Sequence, residues 1–520
     1  MKRLALYPFL FVLYAISTPL ANNLDQLNPA LALRSLIVLC LAAAGGLLLF
    51  YTLFRDWQYA GYLVFLVTLY FVAFGHLNRF IQDQLPMVGK TLDELALLAI
   101  CTFLLVLFAI KGVWIRIGGR AWLAPFLNLM MAIGLLFSVF GLFSGFIHEP
   151  VQARNVSSNP QKNFGRIPVN CSNTPDIYYI VLDGYGRADV LEELYGLDNQ
   201  PFLEYLKRKG FYVASESYAN YMQTIFSLPS SLNFNFIAPA EKGVSDQLYF
   251  SNLVRYNDVM ATLKRCGYRT IAIESGFFFT DHPEVDVYLE RGTKLNKFES
   301  LLLAYSPVDV LAKELDLEPS EYSFKAHRQR VLFSFEKLEM LYKMTGPKFV
   351  FAHIISPHPP FVFDRSGRPI DPAGSYYIAD GDDYQGTLDD YLLGYPAQVQ
   401  FVNQKLEQVI AAILENSSSP PIIILQGDHG PGSRLDWSSP AQTCLWERTP
   451  ILNAFYLPGE GERLLYPSIS PVNLFRVVLN AYFGADLPLL EDATYFTSHR
   501  LEDQAIDITE ERSSRANCNP

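Results

Sequence analysis

Two runs of β-branched and aromatic residues end in acidic side chains. Ile177–Leu182 (IYYIVL) runs into Asp183-Gly184, and IIILQG, from Ile422, runs into Asp428-His429-Gly430. Carboxylates at strand ends on one sheet edge can converge on a cation, and a neighbouring imidazole adds a nitrogen ligand suited to zinc or manganese. Asp-Gly alone is a common turn; two such ends, one carrying a histidine, favour a metal site. A nucleophile for that site is offered by the hydroxyl-rich segment Asn220–Asn233, which includes Thr224, Ser227, Ser230 and Ser231. A threonine or serine oxygen on a divalent cation has a lowered pKa and can attack phosphorus or sulfur. By composition alone the segment is a Ser/Thr-rich helix start near Pro229. A third element, FAHIISPHPPF from Phe351, carries His353 at the end of an apolar run and His358 in a proline-rich loop. Imidazoles there can bind the oxygens of a transferred group or protonate a leaving group. A single strand histidine is more often a satisfied core residue, but these are two of only eight in the chain.

Convergence of these residues requires a sheet. After residue 175, short apolar runs alternate with helical patterns: strands are predicted at Ile177–Leu182, Thr270–Ile273, Phe349–Ile355 and Ile422–Leu425. Helices are predicted at Asn257–Cys266, Val399–Leu414 and Pro471–Tyr482, the last with Ser470 as N-cap and Gly484 just past its end. Continuous apolar strands alternating with helices imply an α/β domain, a mainly parallel sheet with helices on both faces. Ligands of such sheets bind beyond the carboxyl ends of the strands, where Asp183, Asp428 and His353 fall.

The first 150 residues have a different character. Half of the 520-residue chain is hydrophobic and 18% is charged, and the charge is unevenly spread. Residues 1–150 hold nine Lys/Arg and six Asp/Glu, whereas the remainder holds 32 and 46. An acidic body without basic clusters argues against a nucleic-acid partner. Five apolar runs, near Leu4–Leu20, Leu36–Phe54, Ala60–Leu77, Leu95–Ile110 and Trp122–Ile147, are each about long enough to cross a bilayer, which takes ~20 helical residues. The first could be a signal peptide, but Thr18-Pro19-Leu20-Ala21 is a poor cleavage site and four further runs follow. Lys2, Arg3, Arg55, Lys111, Arg116 and Arg120 fall on one side of the spans, against Arg34, Arg79 and Lys90 on the other. That bias puts the N-terminus inside and the C-terminal body outside. The expected domains are a five-helix transmembrane domain at 1–147, a polar linker at 148–175, a catalytic domain at 176–500 and a polar tail at 501–520. Cys171, Cys266, Cys444 and Cys518 lie in the outer body, where disulfides persist; four cysteines allow three complete pairings.

Taken in order, these pieces resemble the alkaline-phosphatase/sulfatase superfamily, from roughly Asp176 to Phe496. The DIYYIVLDGYGR stretch looks like the family's first strand with its metal carboxylate, here Asp183, and Asp428-His429 like its closing metal pair. Thr224-x-x-Ser227-x-Pro229 looks like the nucleophile segment of the membrane phosphotransferases, and five spans before an outer domain resemble lipoteichoic acid synthases and phosphoethanolamine transferases. The resemblance implies Thr224 as catalytic nucleophile; one divalent metal, zinc or manganese ahead of magnesium or calcium, on Asp183, Thr224, Asp428 and His429; and substrate contacts from His353 and His358. It further implies a bacterial cytoplasmic membrane with the catalyst outside, acting on a lipid-linked or envelope-glycan substrate. The departures bear on substrate. The Cys/Ser-x-Pro-x-Arg segment of formylglycine sulfatases is absent, and the first metal position is Asp183 where the phosphotransferases usually carry Glu. No further histidine follows His429 in PGSRLDWSSPAQTCLWER, so Arg434, or else Asp436 or Arg448, is left to meet a polar substrate. The expected reaction is transfer of a phospho-substituted head group through a covalent threonine. The alternatives are a phosphate- or sulfate-ester hydrolase of the same fold, and an inactive envelope scaffold.

Overall fold

The computed structural model of the chain describes residues 5–23, 29–84, 94–117, 122–158, 167–237, 247–282, 284–292, 295–315, 322–374, 376–500 and 503–518. Lys2, Arg3, Lys90 and Arg120, on which the orientation argument draws, lie outside the described residues, as do residues 159–166 of the expected linker. The chain forms two compact units, Met1–Arg154 with Thr293–Ala326, and Asn155–Gly292 with His327–Pro520.

In the first unit each of the five apolar runs is helical: Tyr7–Ala21, Ala32–Phe54, Trp57–Gln84, Glu94–Ala109 and Leu123–Ser158. Three stretches, Pro29–Phe54, Trp57–Ile81 and Leu123–Ser144, are long and apolar enough to cross a membrane, while Tyr7–Ala21 and Glu94–Ala109 are shorter. The last helix continues into the stretch expected as linker, and no glycine or further proline interrupts it between 151 and 158. Thr293–Ala326, which comes from the middle of the expected catalytic domain, packs among these helices. Phe298, on the short helix Lys297–Ala304, is fully buried with Ile16, Leu20 and Ala32. Val310, on Pro307–Glu314, packs with Phe74, Leu97 and Leu98. Gly75 donates its backbone N–H to Tyr305 O at 2.8 Å. A side chain at Gly75 would collide with the Tyr305 backbone, so this close approach needs glycine. Arg34 pairs with Glu299.

The second unit is built on a seven-stranded sheet of order β2-β7-β6-β1-β5-β3-β4. The strands are β1 (Ile177–Leu182), β2 (Tyr212–Val213), β3 (Arg269–Ile273), β4 (Val287–Leu289), β5 (Lys348–Ile354), β6 (Ile422–Gly427) and β7 (Asn453–Tyr456). β1 lies between β5 and β6, parallel to both. β3 and β4 extend the parallel side, while β7 runs antiparallel to β6 and to β2. Every residue of β1, β5 and β6 is buried. Since successive side chains point to opposite faces, both faces are covered. On one face Ile177, Tyr179, Val181, Phe351 and Ile424 meet Leu228, Leu263, Phe475 and Val478 from three helices.

The expected helix Val399–Leu414 begins earlier, at Leu388, and runs to Asn416 through Gly394 and Pro396, which masked its first turns. Its true start is a capping box between Thr387 and Asp390. Ser470 does precede Pro471–Phe483, but its hydroxyl bonds Asp492 rather than the helix N-terminus. The disulfides are Cys171–Cys266 and Cys444–Cys518. The second, with Ile506–Asp507 paired to Tyr495–Phe496, holds the C-terminal stretch against the α/β unit. Polar composition gives no sign of that attachment.

Candidate active site

Parallel register brings the carboxyl ends of the central strands together. Leu182 is level with Gly427 and with Ile354, so the next residues, Asp183 and Asp428, emerge side by side while His353 sits one position inside β5. Gly427 abuts the Tyr185 carbonyl and Gly430 that of Glu447, and neither leaves room for a side chain. The carboxylate-bearing loops can therefore fold close together.

Thr224 is the first residue of helix Thr224–Leu232, so its hydroxyl lies at the positive end of the helix dipole. Oγ1 donates to Asp428 Oδ2 at 2.7 Å and lies 3.2 Å from His429 Nε2. Asp428 Oδ1 accepts the backbone N–H groups of Gly184 and His429, both at 3.0 Å, and Ser227 Oγ donates to the Asp428 carbonyl at 2.8 Å. The nucleophile helix and the Asp-His turn are thus fixed to each other. His429 Nδ1 donates to Gly430 O at 3.0 Å, which leaves Nε2 to face Asp183 Oδ1 at 3.5 Å and Asp428 Oδ2 at 3.4 Å.

One atom from each of Asp183, Asp428 and His429 lies within 4.8 Å of the others, and all three residues are buried. Ligands of a tetrahedral zinc, each about 2.0–2.2 Å from the ion, stand about 3.3–3.6 Å apart, and the distances of His429 Nε2 from the two carboxylates fall in that range. Among the described residues Asp183 Oδ1 is buried without a hydrogen-bond partner, an arrangement costly for a carboxylate unless a cation meets it. The residues fit a divalent metal. Burial raises the Asp183 pKa, but His358, His353 and His429 outweigh it and hold the carboxyl well below the usual range. Burial, with Arg448 nearby, lowers the pKa of His429 and favours the neutral imidazole that a metal requires.

His353 Nε2 stands 3.4 Å from Asp183 Oδ2, and its Nδ1 is 2.8 Å from Thr280 Oγ1. His358 Nδ1 donates to Pro359 O at 2.6 Å, and Nε2 faces Asp380 at 3.9 Å. Its ring centroid is 6.2 Å from that of His429. Gln398 steadies this loop through the carbonyls of Pro357 and His358 and the N–H of Val362.

Arg434 is placed differently: its guanidinium meets Glu447 at 3.6 Å and Ser433 at 3.0 Å, with no contact to Thr224 or Asp183 among the described residues. Asp436 accepts from Ser438 in a local turn. Arg448 is fully buried. Its guanidinium donates twice to Met222 O, at 3.0 and 2.8 Å, once to Gly430 O at 2.9 Å, and pairs with Asp380. Asp380 also accepts from Tyr391 at 2.8 Å; burial raises its pKa, but Arg448 and His358 bring it below the ordinary carboxylate value. Sequence reasoning missed Asp380 and Thr280. Asp380 lies in an acidic loop (ADGDD) away from any strand end, whereas Thr280 follows β3 on the functional edge, where the strand-end rule could have found it.

A family model described as Sulfatase matches residues 175–475. No curated protein matches the chain. Among solved structures, the C-terminal periplasmic domain of EcEptC from Escherichia coli, in complex with Zn, is 13% identical with a TM-score of 0.42, over 68% of this chain and 98% of that one. The soluble domain of lipooligosaccharide phosphoethanolamine transferase A from Neisseria meningitidis is 14% identical with a TM-score of 0.36, over 59% and 87%. Phosphonate monoester hydrolase of Agrobacterium radiobacter is 15% identical with a TM-score of 0.40, over 62% and 80%.

Proposed function

The chain belongs to the sulfatase family, and from that premise we propose that it transfers a phospho-substituted head group from a lipid donor to an envelope glycan or lipid acceptor through Thr224. The observation that carries this reading is the position of Thr224 Oγ1, 2.7 Å from Asp428 Oδ2 and 3.2 Å from His429 Nε2 at a helix N-terminus. Thr224 Oγ1 attacks phosphorus and gives its proton toward Asp428 Oδ2; the bond from phosphorus to the donor-lipid oxygen breaks, and the lipid leaves as the alcohol, taking up one proton. An acceptor hydroxyl then attacks the phosphothreonine, the bond from phosphorus to Thr224 Oγ1 breaks, and the acceptor's proton restores the Thr224 hydroxyl. His358, with Nδ1 committed to Pro359 O and Nε2 3.9 Å from Asp380, has Nε2 as the nitrogen that would meet the oxygens of the transferred group. A divalent cation on Asp183, Thr224, Asp428 and His429, zinc or manganese by its donor set, would lower the hydroxyl pKa and neutralise the developing charge. His353 positions Asp183. Arg434 stays a candidate contact for the distal part of the substrate.

We further propose a bacterial inner-membrane protein of five spans, N-terminus inside, with the catalytic unit in the periplasm. Two disulfides in that unit support an oxidising compartment. Thr293–Ala326 supports the crossing pattern, because this segment, whose chain continues into the catalytic unit, packs at the end of Tyr7–Ala21, the start of Ala32–Phe54 and the start of Glu94–Ala109. Those are the ends that the charge bias assigns to the outside.

The test uses full-length protein in detergent with a head-group-labelled phospholipid. Mass spectrometry should find the head group on Thr224, and Thr224→Ala should neither label nor turn over. Added acceptor alcohols should raise the rate of release above that in water alone; release to water at an unchanged rate would favour the hydrolase. Undiminished turnover by Thr224→Ala in metal-stripped protein would refute both readings.

A further inference from the structure

Among the described residues, one face of the short helix Pro307–Glu314 is left uncovered. Val310 is buried against the N-terminal helices and Ala312 is buried, whereas Val308, Leu311 and Leu315 are 42, 49 and 68% exposed. Those three positions, spaced i, i+3 and i+7, form one apolar stripe. Its depth can be read along helix Trp57–Gln84. Gly75, which bonds Tyr305, is eighteen residues beyond Trp57. At ~1.5 Å per residue that is about 27 Å, close to the ~30 Å of a hydrocarbon core. With Trp57, the first residue of that apolar span, at the inner boundary, Tyr305 stands near the outer one. His76 stacks on it at 4.9 Å and the Arg79 guanidinium lies 4.5 Å from its ring centroid, amphipathic chemistry suited to the head-group layer. On the two spans that Val310 packs against, Leu77, Phe80 and Leu95 are exposed as well.

We propose that Pro307–Glu314 is an interfacial helix, with Val308, Leu311 and Leu315 immersed in the acyl-chain boundary of the outer leaflet. The inference rests on the membrane-spanning reading of residues 1–158. The occupant is lipid rather than protein because Val310 and Tyr305 seat this helix on spans whose own Leu77, Phe80 and Leu95 are exposed, at the level where those spans leave the hydrocarbon. The segment leaves the catalytic unit after Gly292 and rejoins it at His327, so that unit is tied to the leaflet by this helix as well as by its N-terminal connection. The segment thus carries two short helices, one buried among the spans at Phe298 and one lying on the lipid surface.

The test places an environment-sensitive fluorophore at Leu311→Cys or Leu315→Cys in full-length protein with Cys40→Ser and Cys101→Ser, one copy per lipid nanodisc. Leu41→Cys, on an exposed span position, and Tyr377→Cys, on the catalytic unit, serve as references. Lipids brominated near the top of the acyl chain should quench positions 311 and 315 at least half as strongly as position 41, while aqueous iodide quenches them at least fivefold less than position 377. Iodide quenching equal to that at 377, or quenching by neither agent, which would mean a protein partner covers the stripe, overturns the proposal. Loss of bromolipid quenching at position 41 as well would overturn the membrane reading on which it stands.

Discussion

Arg448 links the nucleophile to the Asp-His turn, and removing it should disable the enzyme without touching any ligand atom. Its guanidinium holds the Met222 carbonyl, two residues before Thr224, and the Gly430 carbonyl, one residue after His429, while neutralising Asp380 beside His358. Arg448→Met leaves the Asp380 carboxylate buried without its cation. Breaking one partner of a buried pair costs about 3–5 kcal/mol. At about 2–4 °C per kcal/mol for a domain of ~150–250 residues, that is a fall in melting temperature of very roughly 6–20 °C. Arg448→Lys is the sharper probe, because it keeps the charge but loses the fork. One ammonium cannot hold both carbonyls and the carboxylate in the same geometry, so at least one buried acceptor loses its donor, at about 1–3 kcal/mol.

The catalytic consequence follows from position. A displacement of even 1 Å between nucleophile and charge-stabilising groups can cost about 100-fold in rate, so Arg448→Lys should lower kcat by 10- to 100-fold with KM little changed. The assays are thermal unfolding, metal content by mass spectrometry, and turnover of a labelled lipid donor, each corrected for folded fraction. A double-mutant cycle with Asp380→Asn should show coupling above about 1 kcal/mol, since contacting residues in one network are not additive. An Arg448→Lys protein that melts within 2 °C of wild type and keeps kcat within twofold would refute the positioning argument.

Asp380 also predicts a pH dependence. Its carboxyl is held below the ordinary range in the folded protein, so the stability it contributes is present above the unfolded pKa of about 3.9 and drains away as pH falls through the lower folded value. Urea midpoints between pH 3 and 5 should fall less steeply for Asp380→Asn than for wild type; equal slopes would contradict the shift. Thr224→Ser should retain at least a hundredth of wild-type turnover while Thr224→Ala retains none, because the hydroxyl rather than the methyl does the chemistry; equal activity of the two fails the prediction. Asp183→Asn should cut bound divalent metal at least tenfold in dialysed protein, with the far-UV spectrum unchanged, and stoichiometric metal in that variant would remove Asp183 from the ligand set. Cys518→Ser should lower unfolding stability by about 2–5 kcal/mol, as loss of a long-range disulfide usually does. It should also weaken turnover through the helix Leu445–Arg448, which begins beside Cys444; unchanged stability would mean the C-terminal stretch is held by its other bonds.

What could be read from residues alone divides along physical lines. β1, β5 and β6 were legible because a strand buried on both faces must be apolar at every position, and the carboxylates were legible because such strands end where ligands bind. Proximity of Asp183, Asp428 and His429 then follows from parallel register, which a run of apolar residues implies but cannot align. β2 and β4, at two and three residues, are too short to leave a periodic signal. Asp380, Thr280 and the Arg448 clamp were hidden for another reason. Their roles come from contacts across 68 to 226 positions of sequence, and nothing local marks a loop carboxylate as the partner of a distant guanidinium. In the sequence Arg448 reads as a charge left to meet substrate, yet four hydrogen bonds to protein occupy most of its five donors. The same limit explains Thr293–Ala326. Its helices carry ordinary amphipathic patterns, and a pattern states that an apolar face exists without stating whether sheet, span or lipid will cover it. Phe298, buried among the N-terminal helices rather than against the sheet beside which it lies in sequence, settles that choice for one helix, and the exposed stripe of Val308, Leu311 and Leu315 poses it for the next.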